Sequence, residues 1–184
     1  PFAILFLALV ALATGEAVPT PGLSSLGFTV AGALAQIGGT AMMLVTMKSQ
    51  SFAVSTAWLK TEPVIVALAA ALVLGDPLTP AMLLAIAIAI LGVLLMTLKP
   101  GGAAAMLRDW RPAASGLLAG GLFGASAIGF RGGIIGLDDG SFLMRATSTL
   151  VLTLTIQTAV LILWMGLVDP PALRGAVLTK VEAI

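Results

Sequence analysis

Near-continuous apolar runs, most of them long enough to cross a bilayer and each closed by a cluster of breakers, constrain this chain more than any single residue does. The runs fall at about 2–15, 23–47, 52–75, 79–98, 113–136 and 141–168. A helix needs about 20 apolar residues to cross a hydrocarbon core of roughly 30 Å. Between the runs, "GEAVPTPG", "MKSQS", "GDPLTP", "KPGGAAAMLRDWRP", "LDDG" and "VDPPALRG" concentrate Gly, Pro, Asp, Ser or charge, as connections between helices do. Strands of a membrane barrel alternate over only about 10 residues, so run length selects helices. The expected fold class is an all-α integral membrane protein, a polytopic helix bundle. Its short loops should make sequence neighbours antiparallel neighbours in space. The first run is too short to cross untilted.

Composition agrees with run length. Of 184 residues, 59% are hydrophobic and 9% charged, against about 25% charged in an ordinary soluble domain; the mean hydropathy is +1.14. The first expected partner is therefore the lipid bilayer. The chain has no cysteine and no histidine, which removes disulfides, thiolate nucleophiles, imidazole bases and the usual zinc or haem ligands. No serine is plainly paired with a base, so no enzyme is expected, and neither is a cofactor or metal. A formal charge of +1 without a polybasic patch gives no basis for nucleic-acid binding, and no GxxxxGK[ST] motif marks a nucleotide-driven pump. The opening "PFAILFLALVALATG" lacks the basic n-region of a signal peptide.

Loop charge votes on sidedness, because Lys and Arg concentrate on the cytoplasmic side. Lys48, then Lys99, Arg108 and Arg111, then Arg174 and Lys180 fall on one side, whereas loops 16–22, 76–78 and 137–140 carry neither residue, although Arg131 and Arg145 flank the last. That places 48–51 and 99–112 in the cytoplasm. The stretch 99–112 divides the chain, as an amphipathic interfacial segment or as a solvated linker.

The third run, "AWLKTEPVIVALAAALVLGDPLTP", holds Lys60, Glu62 and Pro63. About ten residues in, Glu62 lies roughly 15 Å deep at 1.5 Å per residue, where an Asp or Lys costs about 2.5–3.5 kcal/mol unless it faces protein or a water-filled cavity. Residues two apart do not share a helix face, so Lys60 and Glu62 are not a simple intrahelical pair. Two readings stand. In one, they project toward different walls of a polar cavity, Glu62 as charge partner or proton carrier and Lys60 as counter-charge or anion contact. In the other, Lys60 snorkels while Glu62 pairs with an Arg of a neighbouring helix. Pro63 removes the hydrogen bond to the Leu59 carbonyl and kinks the helix at depth, either at a binding site between moving segments or as a static bend.

Arg145, Thr149, Thr153 and Gln157 recur every four residues on the sixth run and form a stripe that either lines a cavity or bonds back to its own helix. Arg145 is close enough to the helix start to snorkel, or to pair with Asp138 or Asp139. Gln36, beside Gly38 and Gly39, adds an intramembrane polar group. Gly116, Gly120 and Gly124 make a small-residue ridge for close helix packing, and Met42, Met43 and Met47 read as core filler.

The third and fourth runs together carry a resemblance. Pro63, "VIVALAAALVL", Gly75-Asp76-Pro77-Leu78-Thr79 and "LAIAIAILGVLLM" resemble the EamA-like family of the drug/metabolite transporter superfamily, which usually has Gly-Glu where this chain has Gly75-Asp76. "SFAVSTAWLKTEPVIVAL", "ASAIGFRGGI" and "SFLMRATSTLVL" look like a proteobacterial subgroup, which carries over Glu62, Pro63, Arg131 and Arg145. The resemblance implies ten helices in two five-helix repeats of inverted orientation. On that template residues 1–98 are helices two to five of the first repeat, 99–112 the inter-repeat linker, and 113–184 helices six, seven and the start of eight. The family's usual cytoplasmic N-terminus would place 99–112 outside, against the loop charges. These motifs pack helices and say little about substrate. The implied function is secondary transport, as an exporter, of a small polar metabolite, amino-acid-like compound or drug across a bacterial inner membrane by alternating access. Protons are the candidate coupling ion. The competing reading is a non-transporting scaffold or assembly subunit whose buried charges only fix helix packing.

Overall fold

The computed structural model describes residues 2–49, 62–73, 75, 77, 79–97 and 111–171. All six elements formed there are α-helices: α1 Phe2–Thr14, α2 Leu23–Ser49, α3 Glu62–Val73, α4 Pro80–Thr97, α5 Arg111–Ile135 and α6 Phe142–Val168. Helices are the form apolar runs of this length adopt when no water is present to satisfy the backbone, because each N–H and C=O is bonded within its own segment. Three are long and apolar enough to cross a membrane, Leu23–Lys48, Ala114–Ile135 and Phe142–Val168. The shorter α1, with 13 residues, extends only about 20 Å at 1.5 Å per residue.

Turn chemistry fixes where helices stop. Gly15 takes φ +68° and its N–H bonds Ala11 O at 2.9 Å, ending α1 in the left-handed cap that a residue without Cβ adopts readily. At the start of α6, Ser141 is extended (φ −63°, ψ 161°) and its hydroxyl accepts from the Met144 N–H at 3.3 Å, satisfying one of the otherwise orphaned donors of the first turn.

The most extensive contact is between α2 and α5, which run antiparallel. Ser25 Oγ donates to Gly133 O at 2.7 Å near one end, and Thr46 Oγ1 reaches Ser115 Oγ at 3.1 Å near the other. Between these points the backbones nearly touch: a Cβ on Gly129 would lie 2.6 Å from Gly32 Cα, and one on Gly132 would lie 2.6 Å from the Phe28 ring. Small residues permit this approach, and dispersion and interhelical hydrogen bonds, rather than a hydrophobic effect, reward it inside lipid. Helix α3 packs on the other flank of α5, where a Cβ on Gly124 would meet Ile65 at 2.8 Å. Helix α1 lies along α6, and α6 also contacts α2 and α5.

Burial is distributed as lipid immersion requires. The interior is built from small and hydroxylated residues, Ala33, Ala119, Ser25, Thr29 and Thr46 among them, while large apolar side chains such as Leu84, Leu91, Leu163 and Trp164 face outward. A soluble domain does not leave so much contiguous apolar surface exposed. The chain is a helical membrane protein.

Candidate functional site

Helices α2 and α6 both start at the end of the bundle that carries connections 15–22 and 136–141, so residues at similar distances from their helix starts lie at similar depth. Gln36 is the central residue of α2, about 20 Å from its start, and Gln157 is about 22 Å into α6 at 1.5 Å per residue. Their side chains meet: Gln157 Nε2 donates to Gln36 Oε1 at 2.6 Å. An interhelical amide bond halfway along two apolar helices satisfies groups that lipid would leave unpaired. Beside it a cleft of about 360 Å³ is lined by Gln36, Thr40, Gln157, Ile37, Leu44 and Leu161.

The stripe expected on α6 thus faces α2 and α5. Thr149 is buried beside Gly133, where an added Cβ would lie 3.3 Å from the threonine methyl. Its hydroxyl donates back to Arg145 O at 2.9 Å. Thr14, Thr29, Thr40, Thr46, Thr147 and Thr155 make the same four-residue back-bond, as hydroxyls in membrane helices do. Thr153 departs from this pattern. It is 5% exposed, one turn from both Thr149 and Gln157, and its hydroxyl has no partner among the described residues. Ser148 Oγ is likewise buried without a partner and borders a second cavity of about 220 Å³ with Leu7, Pro19, Ser25 and Thr149.

Arg145 neither lines the cleft nor extends the stripe to its floor. Its Nη1 donates to Leu137 O at 3.2 Å, bracing the turn before its own helix, and its Nε is buried with no acceptor among the described residues. Asp138 and Asp139, the carboxylates expected as alternatives for it, are exposed. The other member of this end is Glu16, on which sequence reasoning was silent. Its Oε2 accepts from Ser141 N at 2.9 Å and Ser141 Oγ at 2.8 Å. Nothing local in the sequence signals a carboxylate 125 positions away.

Of the remaining candidates, Lys60 lies outside the described residues. Glu62 and Pro63 are the first described residues of α3; Leu59, whose carbonyl the expected kink would free, also lies outside the described residues. Gly124 packs against α3 as a ridge residue should, and Gly116 and Gly120 are buried on the same helix. Met42, Met43 and Met47 are half-buried along α2. No group of three or more His, Cys, Asp or Glu able to hold a metal occurs among the described residues.

The assembled site is a neutral polar seam. The two glutamine amides and the Thr40 hydroxyl provide donors and acceptors at membrane depth beside the apolar side chains of Ile37, Leu44 and Leu161, and the unpartnered Thr153 hydroxyl lies one turn from Gln157 on α6. Such a seam can bind and orient a hydrogen-bonding solute. Comparison of the chain with protein-family models, curated proteins and solved structures returns no match.

Proposed function

We propose that the protein is a secondary transporter that moves a small polar metabolite, amino-acid-like compound or drug across a bacterial inner membrane by alternating access, in the direction of export. The observation that carries this reading is the Gln36–Gln157 bond at 2.6 Å, halfway along two long apolar helices and bordering a cleft of about 360 Å³. Polar groups at such depth are expensive, and where they border a cavity they commonly mark a substrate path. The resemblance of Pro63, Gly75-Asp76 and the α4 run to the EamA-like family supports the same reading and extends it to ten helices in two inverted repeats, with substrate bound between the repeats near the midplane. Glu62 serves as charge partner or coupling-proton carrier, Lys60 as its counter-charge, and Pro63 as the hinge.

The test is counterflow in liposomes containing the whole protein, wild type against Glu62→Gln, over a panel of labelled metabolites. The expected result is uptake of at least one compound by wild type and its loss in a variant that elutes as a folded, monodisperse species. Transport unaffected by a proton-gradient uncoupler would remove the proton from the scheme. A variant that transports normally would make Glu62 structural. Silence from a folded wild type across the panel would favour the scaffold reading, in which buried charges only fix helix pairing.

A further inference from the structure

The cleft between α2 and α6 has a chemistry more specific than polarity. One hydrogen bond joins the two amides, Gln157 Nε2 to Gln36 Oε1, and a primary amide has two donors and an acceptor with two lone pairs. Gln36 therefore keeps its N–H donors and Gln157 keeps its carbonyl oxygen, since the amide–amide bond is the one side-chain hydrogen bond that either glutamine makes among the described residues. Exchanging O and N in both side chains would leave the same outcome, one free donor group and one free acceptor side by side. Thr40 lies one turn from Gln36 on the same wall; its hydroxyl proton is committed to Gln36 O at 2.9 Å, so toward the cleft it can only accept. The rest of the wall is apolar, with Ile37, Leu44 and Leu161, and no charged side chain lines the cleft among the described residues.

We infer that this cleft is a binding site for an uncharged solute bearing a carboxamide or an equivalent paired donor and acceptor, such as a lactam or ureide. The ligand's N–H meets the free glutamine oxygen, its C=O meets the free glutamine N–H, and its apolar body rests on Ile37, Leu44 and Leu161. A carboxylate of the same shape offers two acceptors to a donor–acceptor pair and brings a charge to a wall without a counter-charge, which leaves one glutamine carbonyl oxygen facing the carboxylate's lone pairs with no proton between them. An amine lacks the acceptor. A site that hydrogen-bonds its ligand on both edges discriminates strongly against an analogue that satisfies only one.

This inference names the substrate class of the transport site proposed above and rests on that reading for its physiological role, but binding is measurable without transport. The experiment is equilibrium binding to the whole purified protein in detergent, using isosteric sets: nicotinamide, nicotinate and 3-picolylamine, then pyrazinamide and pyrazinoate. The expected result is that at least one amide binds roughly tenfold or more tightly than its carboxylate and amine counterparts. The double variant Gln36→Leu/Gln157→Leu should lose that binding at least tenfold. Replacing both partners by apolar groups of similar shape leaves no orphaned amide, so this variant should retain the wild-type elution profile and melting behaviour. Gln157→Glu, which puts a carboxylate in the pair, should shift preference from amide to amine and provides a second readout that does not depend on the double variant folding. Equal or tighter binding of the carboxylates, no binding of any amide, or amide binding unchanged in a folded double variant would each overturn the assignment. Amide binding without counterflow would leave this site standing and remove the transport reading. Counterflow of a charged metabolite that no amide competes with would do the reverse.

Discussion

At Gly129 the chain has no room for one methyl group. A Cβ there would lie 2.6 Å from Gly32 Cα and 2.8 Å from Phe28 O, and these are backbone atoms that cannot rotate away. On the partner helix, a Cβ at Gly27 would meet nothing within 4 Å. Gly129→Ala should therefore destabilise the protein by about 1–3 kcal/mol through overpacking, whereas Gly27→Ala should be neutral or stabilising by up to about 1 kcal/mol, since alanine loses less backbone freedom in a helix. Thermal unfolding in detergent separates the two, and equal shifts would contradict the close approach. Part of this packing is legible in the amino-acid order: the four-residue repeat of Gly116, Gly120 and Gly124 marks a ridge, and Gly124 does meet Ile65 of α3. The tighter seam is not legible that way. Gly129, Gly132 and Gly133 find Phe28, Thr29 and Gly32 roughly a hundred positions upstream, and local spacing carries no information about which helix will arrive opposite. Gln36 and Gln157 show the same limit, each visible as a polar residue in an apolar run while their mutual bond is a product of the fold.

Helix α6 depends at its start on a residue from a different part of the chain. Glu16 accepts two hydrogen bonds from Ser141 while the Ser141 hydroxyl accepts from Met144 N. A carboxylate beside a helix N-terminus is also favoured by the partial positive charge there. Ser141→Ala should cost about 1 kcal/mol as a lost cap, and Glu16→Ala a similar amount. Because each removes a partner of the other, the double variant should fall short of the sum by about 0.5 kcal/mol or more. A double-mutant cycle by thermal or denaturant unfolding measures that shortfall; strict additivity would mean that the contact between the α1–α2 connection and α6 contributes nothing. The helix ends bounded by described residues, Thr14, Leu23, Pro80, Ile135, Phe142 and Val168, fall within two residues of the expected limits, because Gly15, Pro80 and Ser141 stop or start helices by local chemistry. Glu16 as a cap was not readable, since its role appears only when α1 and α6 pack side by side.

The bundle as a whole has two chemically unlike ends. Antiparallel pairing of α2 with α5, fixed by Ser25 to Gly133 and Thr46 to Ser115, brings the exposed Lys48 and the α5 start at Arg111 to one end. The bond between Glu16 and Ser141 brings connections 15–22 and 136–141, with Asp138 and Asp139, to the other. The positive-inside rule, which counts Lys and Arg within about 15–20 residues of the span ends, weighs Lys48, Lys99, Arg108, Arg111, Arg174 and Lys180 against Arg131 and Arg145, and so predicts that Lys48 faces the cytoplasm and Asp138 the opposite side. The orientation implied by the family resemblance is the reverse, so a single measurement decides between them. The chain contains no cysteine, and Lys48 and Asp138 are exposed, so Lys48→Cys and Asp138→Cys each install one addressable thiol without a background. In intact spheroplasts a membrane-impermeant maleimide should label Asp138→Cys at once and Lys48→Cys only after lysis. The opposite pattern would favour the orientation that the resemblance implies over the one that loop charge predicts. Labelling of both variants in intact spheroplasts at equal rates would mean that the two ends face both compartments in different copies.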